Sequence, residues 1–149
     1  MAVTAAGAIA AVLLVITEFS TVASVDVASG SCEVINDADP ALADRCKLSG
    51  FERNGGAFVL LAALALPMAW GAGVGRSLPA ALALVFIGVF VVGWAVLVDL
   101  PVTEETGAIG FAFEGATAAA GPGLTLELLA GALALAAGAA GAIERFRTG

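Results

Sequence analysis

The sequence predicts an all-α fold: a polytopic membrane protein built as a four-transmembrane-helix antiparallel bundle with a disulfide-bonded extracytoplasmic loop. Three observations lead to this expectation. Of the 149 residues, 60% are hydrophobic and only 13% are charged, whereas soluble domains carry roughly 25% charged residues. Four apolar segments are each long enough to cross a hydrocarbon core roughly 30 Å thick as a helix. The only two cysteines lie together in the polar segment that separates the first two of these.

The four segments form one domain, and a short connection fixes the relative direction of two of them. We expect the spans at about 5–25, 57–74, 78–98 and 124–143 of a single 1–149 domain, with outer loops 26–56 and 99–123. Spans two and three are joined by a very short turn with Ser77 as the N-cap, so they must be antiparallel neighbours. Gly71 and Gly75 form a small-xxx-small pair that lets another helix approach closely. Pro101 is expected to end the third span.

The first polar loop contains both cysteines and is expected to be folded. Segment 39–48 is predicted to be a short helix, with Asp39 as its N-cap. An even pair of cysteines in such a loop indicates a disulfide in an oxidising compartment, and Cys32 bonded to Cys46 would tie this helix to the exit of span one. Closing a loop of about 15 residues is worth on the order of 3 kcal/mol. The alternative is a pair of free thiols in a cytosolic loop.

Sidedness follows from the cysteines, because basic residues near the span ends are evenly divided between the two sides. A disulfide belongs on the oxidising side, which places both long loops outside and both termini inside. Richness in Ala, Gly and Val suggests a bacterial inner membrane. Phe111 and Phe113 make the second loop more apolar than a free loop needs, so we expect it to lie on the bundle or among the lipid headgroups.

Four polar residues near the outer membrane face are the candidate ion or proton site: Glu18, Glu127, Asp99 and Thr21. In an up-down bundle the first and last spans are neighbours, so Glu18 and Glu127 could meet. Carboxyl and hydroxyl groups with no basic residue at that depth are typical of a cation or proton site. The alternative is structural: Glu18 protonated and hydrogen-bonded to a neighbouring helix, and Glu127 stabilising the start of its own helix.

Other site classes have little support. The sequence contains no His, which removes the usual haem ligand, the commonest zinc ligand and the commonest general base, so no cofactor and no enzymatic activity are expected. Asp37, Asp39 and Asp44 lie close together, but their spacing does not match a calcium loop, and no metal site is expected. There is no basic patch for nucleic acid.

Two resemblances are present. An acid in the first of four short spans, Glu18, resembles the small multidrug resistance transporters, which implies that it handles protons and cationic drugs. The long first loop departs from the short loops of that family. Four spans with a large cysteine-paired first outer loop are similar to claudin-like tetraspan proteins, although the Trp-Gly-Leu-Trp motif of that loop is missing here.

The sequence therefore leaves two functions open. The first is a non-enzymatic membrane protein that acts through contacts, as an accessory subunit or scaffold, with the outer loops as its recognition surface for a protein partner or a second copy. The second is a small cation- or proton-coupled transporter or channel that uses Glu18 and Glu127. Both place the chain in a lipid bilayer.

Overall fold

The structure is a computed structural model that describes residues 1–28, 32 and 40–148. It is mostly helical and includes a small sheet. The described helices are α1 (Ala2–Glu18), α2 (Pro40–Ala43), α3 (Gly50–Asn54), α4 (Ala57–Gly73), α5 (Leu78–Trp94), α6 (Leu100–Val102), α7 (Gly107–Ala112) and α8 (Pro122–Thr148), with a π-helical turn at Ala95–Asp99. The strands are β1 (Thr21–Asp26), β2 (Lys47–Ser49) and β3 (Thr117–Ala120).

The four long helices pack side by side. Helix α1 packs against α4 and α8, and α5 packs against the same two helices. Close contacts at glycines give the direction of each pair: Gly7 with Ala69 and Gly73 with Thr4 join α1 to α4, while Gly88 with Leu135 and Gly138 with Ala81 join α5 to α8. In both pairs a residue early in one helix meets a residue late in the other. These neighbours are therefore antiparallel.

Many small side chains and a few large ones, such as Leu14, Phe58 and Leu84, fill the space between the helices, and many large apolar side chains cover the outside. The alanines buried in the helices include Ala10, Ala11, Ala62, Ala65, Ala69, Ala72, Ala81, Ala130, Ala134 and Ala137. Large apolar side chains such as Leu60, Phe86 and Leu97 are exposed, the last with 77% of its surface accessible. Ala and Gly at the contacts let the helix backbones approach closely.

Two helical segments, Leu78–Ala112 and Pro122–Arg147, are long and apolar enough to cross a membrane by length and composition. Helices α1 and α4 are also apolar but have 17 residues each. The bounds of α4 agree to within one residue with those predicted for span two, and Ser77 caps α5 by accepting a hydrogen bond from the backbone N–H of Ala80.

The first helix is shorter than predicted because its last third is a strand. Helix α1 ends at Glu18, and β1 follows where span one was expected to continue to residue 25. The segment Thr21–Asp26 contains three β-branched residues, which favour strands, and it pairs antiparallel with β2 on one side and β3 on the other. The all-α prediction is therefore wrong in this part of the chain.

Two further boundaries differ from the prediction. Pro101 does not stop the third helix, because the chain continues through the π-helical turn into α6. Pro101 lies in the first turn of α6, where the N–H group that proline lacks would not be needed for a hydrogen bond. The helix expected over 39–48 is confined to α2, because Lys47 and Leu48 belong to β2. The predicted N-cap Asp39 lies outside the described residues.

The predicted disulfide is confirmed, and it lies in a second small core. Cys32 and Cys46 are bonded with their Cα atoms 5.8 Å apart. The apolar residues around them come from β1, α2 and the second loop: Val25, Val27, Leu42, Ile109, Phe113 and Ala116. The sheet, the described parts of both loops and the disulfide thus form one unit, called here the cap. Val22 joins it to the helices by packing with Ala95 and Leu124.

The tight contact between α5 and α8 can be tested with two glycines of the same helix. A Cβ atom at Gly88 would lie 2.6 Å from the backbone nitrogen of Leu135, whereas one at Gly93 would meet nothing within 4 Å. Gly88→Ala should therefore lower the free energy of unfolding by about 1–3 kcal/mol through overpacking. Gly93→Ala should leave it unchanged or raise it slightly. Thermal unfolding in one detergent measures both, and equal melting temperatures would contradict this packing.

Candidate functional site

Three acidic side chains are fully buried where the helices meet the cap. Glu18 is the last residue of α1, Asp99 ends the π-helical turn, and Glu127 lies in the second turn of α8; each has 0% of its surface exposed. Charged groups are rarely buried unless they are paired or neutralised. Their partners therefore decide what this site can do.

Arg53 reaches into the site from the cap. Its Nε donates a hydrogen bond to Asp99 Oδ1 at 2.7 Å, and its Nη2 donates to the carbonyl oxygen of Val98 at 3.2 Å. The Arg53 side chain is 20% exposed, whereas Asp99 is 0% exposed. Removing either member of such a pair leaves a charge without compensation, which is strongly destabilising. This ion pair connects α3 of the cap to the π-helical turn that follows α5.

Glu18 contacts the start of α3 and the residue that precedes α4. Its Oε1 accepts a hydrogen bond from the backbone N–H of Gly56, just before α4, while its Oε2 has no partner. The backbone of Gly50 lies directly against α1, because a Cβ there would be 2.9 Å from the Cα of Glu18. Only glycine fits at this position. The end of α1 is thereby fixed against α3.

Glu127 is the least satisfied of the three acids. The charges of Asp99, Arg53 and Glu18 all act on its carboxyl group, that of Asp99 most strongly. Neither oxygen of Glu127 has a hydrogen-bond partner among the described residues, and neither has Asp99 Oδ2. A hydrogen bond between two carboxyl groups needs a proton on one of them.

The π-helical turn and a second polar contact position Asp99 and Arg53. Single π-helical turns often occur at functional sites, and this one ends at Asp99. One turn earlier, the Trp94 indole N–H donates to Asn54 Oδ1 at 2.9 Å. Beside these residues, a cavity of about 130 Å³ is lined by Arg53, Asn54, Ala57, Phe58, Phe90 and Trp94. The Arg53 side chain therefore borders a cavity.

A capping box stabilises the short helix that carries Arg53. The Ser49 hydroxyl accepts from the backbone N–H of Glu52, and the Glu52 carboxylate accepts from the Ser49 backbone N–H at 2.7 Å and from its hydroxyl at 2.8 Å. These two hydrogen bonds, the backbone one first, lower the pKa of Glu52. The stabilisation is therefore present at neutral pH and is lost as the pH falls through the folded-state pKa.

The structure brings three of the four candidate residues together. Glu18, Asp99 and Glu127 lie in one buried cluster, whereas Thr21 is in β1 opposite Ser49 and is not among the groups that act on Glu127. The expectation that no basic residue lies at this depth is wrong, because Arg53 does. The Ser-x-x-Glu signature of the capping box stands just before it in the sequence and could have identified α3.

The predicted glycine pair occupies two different environments. Gly71 faces α5, where a Cβ would lie 3.0 Å from the Cβ of Ala80. Gly75 lies in the turn after α4, against the carbonyl oxygen of Gly71 from its own chain segment. The closest helix contacts are made by other glycines, among them Gly7 and Gly88.

Within residues 1–28, 32 and 40–148, no group of three His, Cys, Asp or Glu side chains converges as a metal site would. Asp37 and Asp39, considered above as calcium ligands, lie outside the described residues. No family model, curated protein or solved structure that was compared with this chain matches it. Function must therefore be inferred from the buried site and from the exposed surfaces of this chain.

Proposed function

We propose that this chain is a non-enzymatic integral membrane protein with four spans, and that it acts through contacts made by its cap. The support for membrane insertion is the arrangement of side chains in the helices: small residues inside and large apolar residues outside. Segments 2–17, 57–75, 78–98 and 128–143 contain no charged residue. An apolar belt formed by four neighbouring helices is far larger than a soluble surface carries and suits lipid.

Helix length is compatible with four spans. A helix of 17 residues, the length of α1 and α4, is about 25 Å long at 1.5 Å per residue, and 17 residues is the short end of the range for membrane helices. Trp70 is exposed near the end of α4 that is remote from the cap, a position favoured at a membrane interface. The longer α5 and α8 would then extend into the cap.

The two ends of the bundle differ in a way that favours one orientation. The cap contains the disulfide, which belongs in an oxidising compartment. At the opposite end, Gly73 lies beside Thr4 and Gly141 beside Val3, so the N-terminus, the turn after α4 and the end of α8 are together. That end includes Arg76, Arg145 and Arg147. The cap carries three basic residues as well, Arg45, Lys47 and Arg53, so charge does not separate the two ends. The disulfide decides, and the cap is proposed to face outward.

Phe111 is the observation that carries the contact role. It lies on α7 of the cap with 96% of its surface exposed, although Ile109 and Phe113 on either side of it pack into the disulfide core. A large aromatic side chain fixed on a cross-linked support is typical of an interface anchor. Nearby, a cavity of about 160 Å³ is lined by residues of β1, β2 and the α6–α7 segment. We propose a protein partner or a second copy here.

Cysteine cross-linking in intact cells tests orientation and contact together. Glu114→Cys places a thiol on the exposed cap near Phe111, and Arg147→Cys places one at the other end. A membrane-impermeant bifunctional maleimide should give a higher-mass adduct with Glu114→Cys only. Adding Phe111→Ala should reduce that adduct several-fold by removing the anchor. Adducts at both ends, or none on the cap, would contradict the proposal.

A second candidate function is proton- or cation-coupled transport through the buried acids. The specific observation in its favour is the cluster of Glu18, Asp99 and Glu127 in the outer part of the proposed membrane region. Intramembrane ionisable groups mark ion and proton pathways in many membrane proteins. Four helices enclose little space, so this function would require several copies or a movement of the cap.

Flux into liposomes tests this second candidate. Wild-type protein should carry protons or monovalent cations, and Glu127→Gln should abolish the flux because the amide cannot exchange a proton. Glu104→Gln is the matched control, since this loop side chain is exposed, and it should behave as wild type. Absence of flux in the wild type, or equal flux in Glu127→Gln, would remove transport and leave the contact role.

A further inference from the structure

The charge balance of the buried site is uneven. Glu18, Asp99 and Glu127 supply three carboxyl groups, each 0% exposed, and Arg53 supplies the one guanidinium that acts on them among the described residues. If all four groups were ionised, two negative charges would remain uncompensated in a buried, low-dielectric place. Isolated buried charges of this kind cost several kcal/mol each. The site must therefore bind positive charge.

The geometry indicates where that charge would bind. Arg53 already donates a hydrogen bond to one oxygen of Asp99, and the backbone N–H of Gly56 donates one to an oxygen of Glu18. Asp99 Oδ2 and both oxygens of Glu127 are buried and have no donor. The charge of Asp99 acts on Glu127 more strongly than that of any other described group, so these two carboxyl groups are neighbours. Three of the four vacant carboxyl oxygens of the site belong to Asp99 and Glu127, and the fourth is Glu18 Oε2.

We propose that Asp99 and Glu127 form a proton-binding site in which one proton is shared between the two carboxyl groups. The proton is covalently attached to one oxygen and donated as a hydrogen bond to the other, so two acceptors become one donor–acceptor pair. Arg53 neutralises the remaining charge of the pair through Asp99. The proton is taken up from the solvent.

A metal ion is a poorer occupant than a proton. No group of three acidic, His or Cys side chains in the described residues converges around one point, and divalent cations such as Ca²⁺ need six or more oxygen ligands. The position beside Asp99 where a cation would bind is taken by the guanidinium of Arg53. A monovalent cation is a testable alternative because it needs fewer fixed ligands.

The inference deepens the second candidate function and rests on the same buried site, but its readout does not require flux. Infrared spectroscopy of wild-type protein in nanodiscs at neutral pH should show the carbonyl stretch of a protonated carboxylic acid, which shifts in D₂O. Glu127→Gln should remove this band, since an amide can donate to Asp99 without a shared proton. The exposed control Glu104→Gln should retain it.

Several outcomes would overturn the inference. One is a wild-type spectrum without a protonated carboxyl band, which needs no variant to fold. Another is a band that persists in both Glu127→Gln and Asp99→Asn. A band that disappears when Na⁺ or K⁺ is added would assign the site to a monovalent cation instead. A band present in a protein without flux would support the shared proton and reject transport, so the two failures can be told apart.

Discussion

The ion pair between Arg53 and Asp99 is the interaction on which the relation between cap and helices depends. It joins a five-residue helix of the cap to the π-helical turn after α5 at an N–O distance of 2.7 Å. Around it, Glu18 accepts from Gly56 at the start of α4, and Glu127 brings in α8. All four long helices therefore end at one polar cluster. Because a buried polar network is costly unless it is satisfied, this cluster restrains how the cap can sit on the bundle.

Packing below the cap follows a different rule. The helices meet largely through Ala and Gly, while many Leu, Phe and Val side chains are exposed on the outside. In water these exposed side chains would contribute nothing to folding. In lipid it is favourable, because close backbone approach supplies the packing energy and large side chains face the acyl chains. The proposed membrane setting therefore accounts for small side chains at the helix contacts together with large apolar side chains on the outside.

Sequence reasoning predicted the parts of the fold that depend on long apolar segments and on cysteine pairing. The helix at Ala57–Gly73 and the Cys32–Cys46 bond were predicted correctly, because apolar length and an even cysteine pair are strong signals. The sheet was not. Thr21–Asp26 continues the apolar segment of α1, and short apolar stretches do not distinguish helix from strand. Its partner β3 consists of one Thr and three Ala, with almost no strand preference of its own.

The site was predicted in part for a similar reason. Glu18, Asp99 and Glu127 stood out because acids are rare in apolar segments, and antiparallel helices bring them to one end. Arg53 lies in a polar loop where an arginine is ordinary, so only its tertiary position shows its role. The π-helical turn that presents Asp99 has no signature in the local sequence.

A double-mutant cycle on the ion pair tests the central claim most directly: that cap and bundle are one unit held by a buried charge cluster. Arg53→Gln and Asp99→Asn should each lower the free energy of unfolding by about 3 kcal/mol. Together they should cost less than the sum, with a coupling of about 1–3 kcal/mol. Arg45→Gln, an exposed cap arginine, should change little. Single losses near zero, or losses that simply add, would contradict the account.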